Sequence, residues 1–512
     1  MLSKVITATL HGIEARPVLV ETDITRGLPA LNIVGLADTT VKEARERIRS
    51  AIINTGCRYP MGRITVNLSP AYVKKKGSHF DLAMAIGIIA SSEQIFDRDI
   101  EEYCFIGELS LDGRINKVNG ILPMLMTIKA MGIKKVIVPK ANAEEASLVD
   151  DLNIYEGETL QQVLDHFNLV ESLKMIDAAE GIQSIRQAST SLDFAQVKGQ
   201  EMGKRAITVA VAGNHGILMT GSPGTGKTMM AMRIPTIMQP MTYEEIVEAT
   251  MVYSVAGLLT EKDPYITQRP FRQPHHRITP PGLIGGGNSP RPGEVSLAHK
   301  GVLFLDEMGE FDRNTIEMLR VPLETGKINV FRQGENFTFP ADFMLVAATN
   351  PCRCGYYGDP SHECSCKPGE IDAYRAKLSG PILDRIDMHI ETLPVSYNQL
   401  GQEEGMSSAA MGAKIRAAQE RQEARYIDES IMFNSQMDNG LVEKFCSLGP
   451  AENKMLRGAF GKLNLNPRTL MKVVKVARTI ADIEGEERIR EEHLAEALHY
   501  RAVVDGVKGR RD

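Results

Sequence analysis

Between a short apolar run, Gly216–Met219, and a stretch of helical character stands the octapeptide GSPGTGKT, Gly221–Thr228. Glycines let such a backbone curl until its N–H groups face one centre, and the helix start that follows adds positive potential there. The turn is therefore a phosphate cradle that needs a strand before it and a helix after it. GILMTG, GVLFLDE and FMLVAATN are continuous apolar runs separated by Gly/Pro loops and helical stretches. That is the pattern of a parallel sheet covered on both faces. In the cradle, Gly221, Ser222, Pro223, Gly224, Thr225 and Gly226 line the phosphates of a nucleotide such as ATP. Lys227 reaches the β- and γ-phosphates and the Thr228 hydroxyl ligates Mg2+.

Three further positions fit the same chemistry. GVLFLDE, Gly301–Glu307, ends a buried strand in two acids, at the edge where open α/β sheets bind ligands. Asp306 is expected to share the Mg2+ and Glu307 to activate the attacking water. FMLVAATN ends in Asn350, whose amide suits orienting that water. Arg385, in GPILDRIDMHIE, stands between a helix-like segment and an apolar stretch, a surface position from which it can serve a neighbouring subunit's γ-phosphate. Arg468, in LNLNPRTLMKVV, lies near a helix start after Pro467, from which it can reach toward phosphates. The plainer reading of each arginine is a surface ion pair.

At 512 residues the chain has room for about three domains. Residues 1–170 alternate strands (Ile64–Val73, Lys134–Ala141) with helices (Val41–Gly56); 171–191 is polar and aperiodic, a linker; 192–394 carries the strand-rich core; 395–512 has helical spacing and no strand-like run. The net charge of −6 excludes a basic coat, so any nucleic-acid contact must come from local loops. The longest apolar run, Leu82–Ala90, is half of what a membrane helix needs, and Glu14 interrupts any signal-peptide pattern. Seven cysteines, four of them between Cys352 and Cys366, do not make a secreted disulfide framework, so a cytoplasmic location is expected. Cys352, Cys354, Cys364 and Cys366 form C-x-C-x9-C-x-C, with His362 alongside, in a Gly/Pro-rich loop. They suit either a structural Zn2+ or free, reversibly oxidised thiols. Cys57, Cys104 and Cys446 read as small buried residues.

With these elements in this order the chain resembles the AAA+ ATPases, more narrowly their magnesium-chelatase-like branch. DFAQVKGQEMGKRAITVAVAGNHGILMTGSPGTGKT and RPFRQPHH…GLIGGGNSPRPGEVSLAHKGVLFLDEMGEF resemble the YifB/ComM family. The resemblance covers essentially the whole chain. It implies an α/β ATPase core with a C-terminal all-α lid, a homo-oligomeric ring, usually hexameric, with ATP at subunit interfaces, and an adenine pocket near Asp193, Val197 and Gly199. It also implies a DNA helicase promoting branch migration during integration of transforming DNA. Asn-Pro-Arg stands at the lid arginine where Ser-x-Arg is more usual. VNLSPAYVKKKGSHFDLAMAIGIIA and GELSLDGRINKVNGILPMLMTIKAMGIKKVIVPK resemble the α+β proteolytic domain of Lon and the Lon-like domain of RadA. His79 and Ile115 fall where that domain's serine and lysine belong, with Ser78 and Lys117 displaced, so a non-proteolytic scaffold is expected.

Two loops are candidates for sequence-independent DNA contact. Ile278–Gly293, flanked by Arg277 and containing Arg291, is too rich in Gly and Pro for a simple helix. Lys327–Phe339 alternates around RQGEN, a hairpin with Gly334 at its turn. Similar hairpins project into the pore of the minichromosome maintenance helicases, which implies that Arg332 near the tip contacts phosphates. Phe271 and Phe337 are the aromatic residues available for stacking on bases. Two rivals to a DNA motor are a chelatase-type motor that reshapes a partner for Mg insertion, which must explain the Lon-like domain, and a protein remodeller, which lacks the Ser/Lys pair.

Overall fold

The structure is a computed structural model that describes residues 2–96, 99–177, 191–287, 290–332, 334–378, 380–395, 405–462 and 465–509. Its first sheet is mixed. The strands are β1 (Ser3–His11), β2 (Glu14–Thr25), β3 (Ala30–Val34), β4 (Arg63–Ser69), β5 (Tyr103–Phe105), a detached ribbon of β6 (Glu108–Leu109) and β7 (Ile115–Asn116), then β8 (Lys135–Pro139), β9 (Asn153–Gly157) and β10 (Lys174–Met175). The eight sheet strands run in the order β10-β9-β8-β5-β1-β2-β4-β3. Helices Thr39–Asn54, started by Asp38 accepting from the Val41 N–H at 2.9 Å, and Asp81–Ser91 cover one face. The second is buried almost throughout, so the longest apolar run of the chain is a core helix.

Two boundaries differ from expectation. The strand foreseen over Ile64–Val73 stops at Ser69, because Pro70 has no N–H to continue a ladder. The linker foreseen from 171 begins later, because Lys174 and Met175 pair with Glu156 and Tyr155 as an edge strand. Most of that linker, 178–190, lies outside the described residues.

The second sheet is wholly parallel, ordered β12-β13-β16-β11-β17 from β11 (Ile217–Gly221), β12 (Phe271–Arg272), β13 (Val302–Leu305), β16 (Met344–Thr349) and β17 (Met388–Thr392). Side chains alternate across it. Ile217, Met219, Phe304, Val346 and Ile390 face one core, while Leu218, Leu303, Leu305, Leu345 and Ala347 face another. This double burial is why its strands read as continuous apolar runs. The first face is covered by helices Glu201–Ala212, Ser408–Arg425, Pro467–Glu484 and Glu491–Gly509. The C-terminal helices are therefore built onto the sheet and not merely appended, and none of the described residues after Thr392 forms a strand. The second face is covered by short helices and by the hairpin of β14 (Lys327–Arg332) and β15 (Glu335–Pro340).

A third core joins the first sheet to the second unit. Helix Ile121–Ala130 packs with helix Tyr243–Ala256, bringing Leu125 and Val138 together with Ile246 and Ala249. Gly120 N–H donates to Ser254 O at 3.1 Å, and Lys117 Nζ to Leu259 O at 2.9 Å. Glu145 lies buried at this seam, accepting from Ser254 Oγ, from Asn142 at 3.2 Å and from the Leu122 N–H at 3.3 Å. Burial raises its carboxyl to about 7 against those hydrogen bonds. An acid whose folded value lies above its unfolded one stabilises the fold at low pH, and that contribution is lost as pH rises through the folded value. Stability, followed by the urea midpoint, should therefore fall as pH rises from about 4.5 to about 7, with a contribution on the order of 3 kcal/mol from this group. Glu145→Gln should flatten that slope, as parallel urea titrations across pH would measure.

Candidate active site

Four strand ends meet at the carboxyl edge of the parallel sheet. The turn after β11 passes through Gly224 and Gly226, both at positive φ (81° and 85°), into helix Lys227–Ala231. Lys227 Nζ folds back to Gly221 O at 2.6 Å and Ser222 O at 2.9 Å, with Asn350 Oδ1 at the end of β16 3.5 Å away. Thr228 Oγ1 donates to Asp306 Oδ2 at 2.9 Å, so the two groups foreseen as Mg2+ ligands lie side by side. Thr392 at the end of β17 hydrogen bonds Thr225 at 2.9 Å and ties the turn to the edge strand. Glu307, at φ 50°, holds its carboxylate half in solvent, 3.7 Å from His276 Nδ1. Left-handed backbone at a non-glycine costs about 1–3 kcal/mol and is kept where it aims a functional side chain.

Besides Thr392, two neighbours of this cluster were not singled out from sequence. Gln273 Nε2 stands 3.5 Å from Asp306 Oδ2, and His276 faces Glu307. Both come from FRQPHH, a segment with no periodicity of its own; the short strand β12, pairing with β13, carries it to the acids. Around the expected adenine pocket, Val197 is buried and Gly199 has φ 63°. Asp193 caps its turn and accepts from the Ser408 N–H at 3.1 Å, which joins this corner to the first C-terminal helix.

The arginines lie elsewhere. Arg385 precedes β17 and Arg468 opens helix Pro467–Glu484, both at the amino edge of the sheet, one strand length (about 15 Å) from the cradle. They share one carboxylate: Arg385 is 2.9 Å from Glu324, and Arg468 pairs with the same oxygen. Arg385 is further held by Arg320 O at 3.2 Å and Pro381 O at 2.8 Å. Arg468 and then Arg385 keep Glu324 below the usual carboxylate range. These residues line a cavity of about 1090 Å3 with Asp387, Lys472 and Lys475. Although burial opposes ionisation of Asp387, Lys472 at 2.7 Å and His215 at 2.9 Å hold its carboxyl far below the normal range. So each arginine is an ion pair in the single chain, and neither lies beside its own phosphate cradle.

The loops foreseen as DNA contacts are exposed at Arg277, Arg291 and Arg332. The first is not helix-free: Thr279 caps a five-residue helix, Pro280–Ile284, whose prolines occupy the first turn, where no N–H is needed. The hairpin is present with Gly334 at φ 83°. Phe337 is buried and stacked on His11 of the N-terminal sheet at 4.5 Å, so it is not free to stack on a base, while Phe271 is half-buried against Phe304. The exposed aromatic of the hairpin is Phe331, beside Arg332. In the N-terminal unit Ser78 bonds Glu108 and Lys117 bonds Leu259 O, so no Ser/Lys pair is assembled among the described residues. His79 is buried, which lowers it to about 4, and Ile115 is buried as well. Of the isolated cysteines, Cys104 and Cys446 are buried, while Cys57 is only half-buried.

Comparison with known proteins defines the class. Residues 193–400 match the family described as magnesium chelatase, subunit ChlI; residues 20–142 match the family described as subunit ChlI of Mg-chelatase; and 405–501 match its C-terminal region. The chain is 40% identical to the competence protein ComM of Haemophilus influenzae over 96% of each chain. It is 39% identical to the uncharacterised protein YifB of Escherichia coli over 98% of this chain and 97% of that protein. Over 139 residues, 26% of the chain and 21% of the relative, it is 31% identical to the archaeal Lon protease of Thermococcus kodakarensis. The fold and the site define an AAA+ ATPase of the magnesium-chelatase type. Within that class the chain belongs to the ComM/YifB family. No described helix is long and apolar enough to cross a membrane.

Lys227 carries a pH signature. Burial lowers its ammonium to about 8 against the pull of Asp306 and Glu307. A phosphate needs the protonated form, so below pH 8 binding meets a ready charge, and above it a proton must be taken up. ATP affinity should be flat from pH 6.5 to 7.5 and weaken by up to about tenfold per unit above 8, measured by titration calorimetry. Lys227→Ala should abolish that dependence along with most of the affinity.

Proposed function

We propose that the chain is a ring-forming ATPase motor that moves on DNA, as a helicase driving branch migration, with recombination or the integration of transforming DNA as its setting. The observation that carries this reading is the separation of the site into two halves. The cradle, Asp306, Glu307 and Asn350 lie at one edge of the parallel sheet, and Arg385 with Arg468 at the other. One γ-phosphate can meet both halves only when a second copy presents its amino edge, which favours a homo-oligomeric ring, for which we propose a hexamer.

At such a junction Gly221–Thr228 hold the triphosphate. Thr228 and Asp306 would hold Mg2+, which neutralises phosphate charge. Glu307 takes the proton of the attacking water, Asn350 orients that water, and the two guanidiniums from next door leave Glu324 to meet the charge growing on the γ-phosphate. Glu324 stands only three residues before the hairpin strand β14, so releasing the arginines frees the base of the hairpin. Arg332, Arg277 and Arg291 then contact the DNA backbone without reading its sequence. The H. influenzae relative, by its name a competence protein, supports the DNA setting.

We further propose residues 1–170 as a non-proteolytic scaffold, 192–394 as the ATPase core, 395–512 as the lid, and the cytoplasm as the location. The second reading, a chelatase-type motor that reshapes a protein partner for Mg insertion, is favoured by the chelatase descriptions of all three matching families.

Forked or four-way DNA should stimulate ATP hydrolysis, with the effect weakening steeply with salt. Absence of stimulation at low salt would favour the chelatase reading. Glu307→Gln should bind ATP yet turn over at under about one-hundredth of the normal rate. Arg385→Ala and Arg468→Ala should each lower kcat by about 10³-fold or more. Mixing Arg385→Ala with Lys227→Ala chains should restore part of the activity, because each supplies the half the other lacks. Full hydrolysis by an isolated monomer would overturn the shared site. Arg332→Ala should leave basal hydrolysis intact and reduce both DNA stimulation and unwinding.

A further inference from the structure

Two residues beyond Asn350 the chain enters a loop that the ATPase chemistry above does not use. Cys352 Sγ lies 3.4 Å from Cys354 Sγ and 3.7 Å from Cys364 Sγ, and the latter two are 3.5 Å apart. Cys366 Sγ accepts from the Cys354 N–H at 3.3 Å, and all four sulfurs fall within 4.8 Å of one another. A disulfide would bring two of them to about 2.05 Å. Four thiolates at about 2.3 Å from a common zinc ion stand about 3.8 Å apart along the edges of a tetrahedron. The observed separations are those of ligands around a shared centre. A soft tetrathiolate set favours zinc over the hard cations, which take oxygen.

The loop is knit for this purpose. Gly355 and Gly358 take φ 90° and 81°, which lets the chain double back. Tyr356 stacks on His362 at 4.8 Å, so that ring packs against the loop. Arg375 lies over Tyr357 and donates to Pro351 O at 3.2 Å. The same loop leans on the phosphate cradle. A Cβ on Gly355 would stand 2.7 Å from Pro223 Cδ, and the Ser222 side chain, with the Ser361 and His362 N–H groups, holds the Asp359 carboxylate below its usual range.

We infer that Cys352, Cys354, Cys364 and Cys366 hold one zinc ion, and that the loop folded around it forms a wall of the phosphate-binding turn, so that metal and nucleotide bind with linked affinities. The linkage rests on the reading of Gly221–Thr228 as a nucleotide site; the metal site stands without it. Whatever zinc adds to nucleotide affinity, nucleotide must return to zinc retention.

Elemental analysis of the full chain, purified without added metal or chelator, should find about one zinc per chain, and the double variant Cys364→Ser, Cys366→Ser should hold less than a tenth of that. Release of zinc by a thiol-modifying reagent, followed with a chromogenic chelator, should slow about 5- to 10-fold with saturating non-hydrolysable ATP analogue. Asp359→Ala, which leaves every thiol in place, should keep its zinc and bind the analogue about 5- to 10-fold more weakly. No zinc, or iron in its place, with four freely titrating thiols, overturns the metal site. Zinc present, with release indifferent to a nucleotide that demonstrably binds and with Asp359→Ala unchanged, overturns the linkage. Zinc present in a chain that binds no nucleotide overturns the ATPase reading and the linkage while upholding the metal site.

Discussion

A parallel sheet has two chemically different edges, and the rest of this protein is arranged around that fact. Strand ends, helix starts and the Lys227 ammonium converge on the carboxyl edge, where burial outweighs the pull of the neighbouring acids. The amino edge collects Arg385, Arg468, Lys472 and Lys475 against Glu324 and Asp387. Opposite charges on a rigid slab cannot meet by bending it, since packed interiors transmit strain and do not yield to it. In the proposed assembly a second copy brings one edge to the other. In the single chain Glu324 occupies both guanidiniums, so under that proposal a phosphate must outcompete a carboxylate already in place.

The N-terminal unit is tied to this slab at two places, and the two differ in kind. At the seam of helices Ile121–Ala130 and Tyr243–Ala256 the contact is apolar, with the buried Glu145 inside it. At the hairpin the contact is lighter: the turn between β1 and β2 sets His11 against Phe337, with Gly12 close against Thr338 and Arg16 4.0 Å from Glu335. The first contact makes a common body. The second braces the base of β14–β15 and leaves Phe331 and Arg332 at the exposed end. The N-terminal unit thus packs against the base of the hairpin and not against its tip.

Much of the clustering at the carboxyl edge was legible from residues alone, because its groups sit at the ends of strands whose apolar runs are unmistakable. Asp306 and Asn350 needed only the knowledge that parallel strands end together. Gln273, His276 and Thr392 were not legible, since their closeness to the cradle depends on which strands neighbour which, and spacing along the chain carries no trace of that. Phe337 and Phe331 show the same limit within one hairpin. Alternation identified the ribbon, but which face was covered depended on His11, more than 300 residues away in sequence. The prolines misled in opposite senses. Pro70 ended a strand early, while Pro280 and Pro281 opened a short helix where none was expected.

By itself the sequence determined the local chemistry: a cradle for phosphate, acids at a strand tip, four thiols in a glycine-rich loop, and the apolar periodicities that build two sheets and a helical C-terminus. These follow from interactions between residues close in the chain, where backbone geometry leaves few choices. Only the tertiary structure decided that the arginines lie a strand length from the cradle and share one carboxylate. It likewise decided that the cysteine loop presses on Pro223 and that helix Tyr243–Ala256 shares a core with the first sheet. Those are properties of strand order and of packing between distant segments, set by which surfaces bury best together.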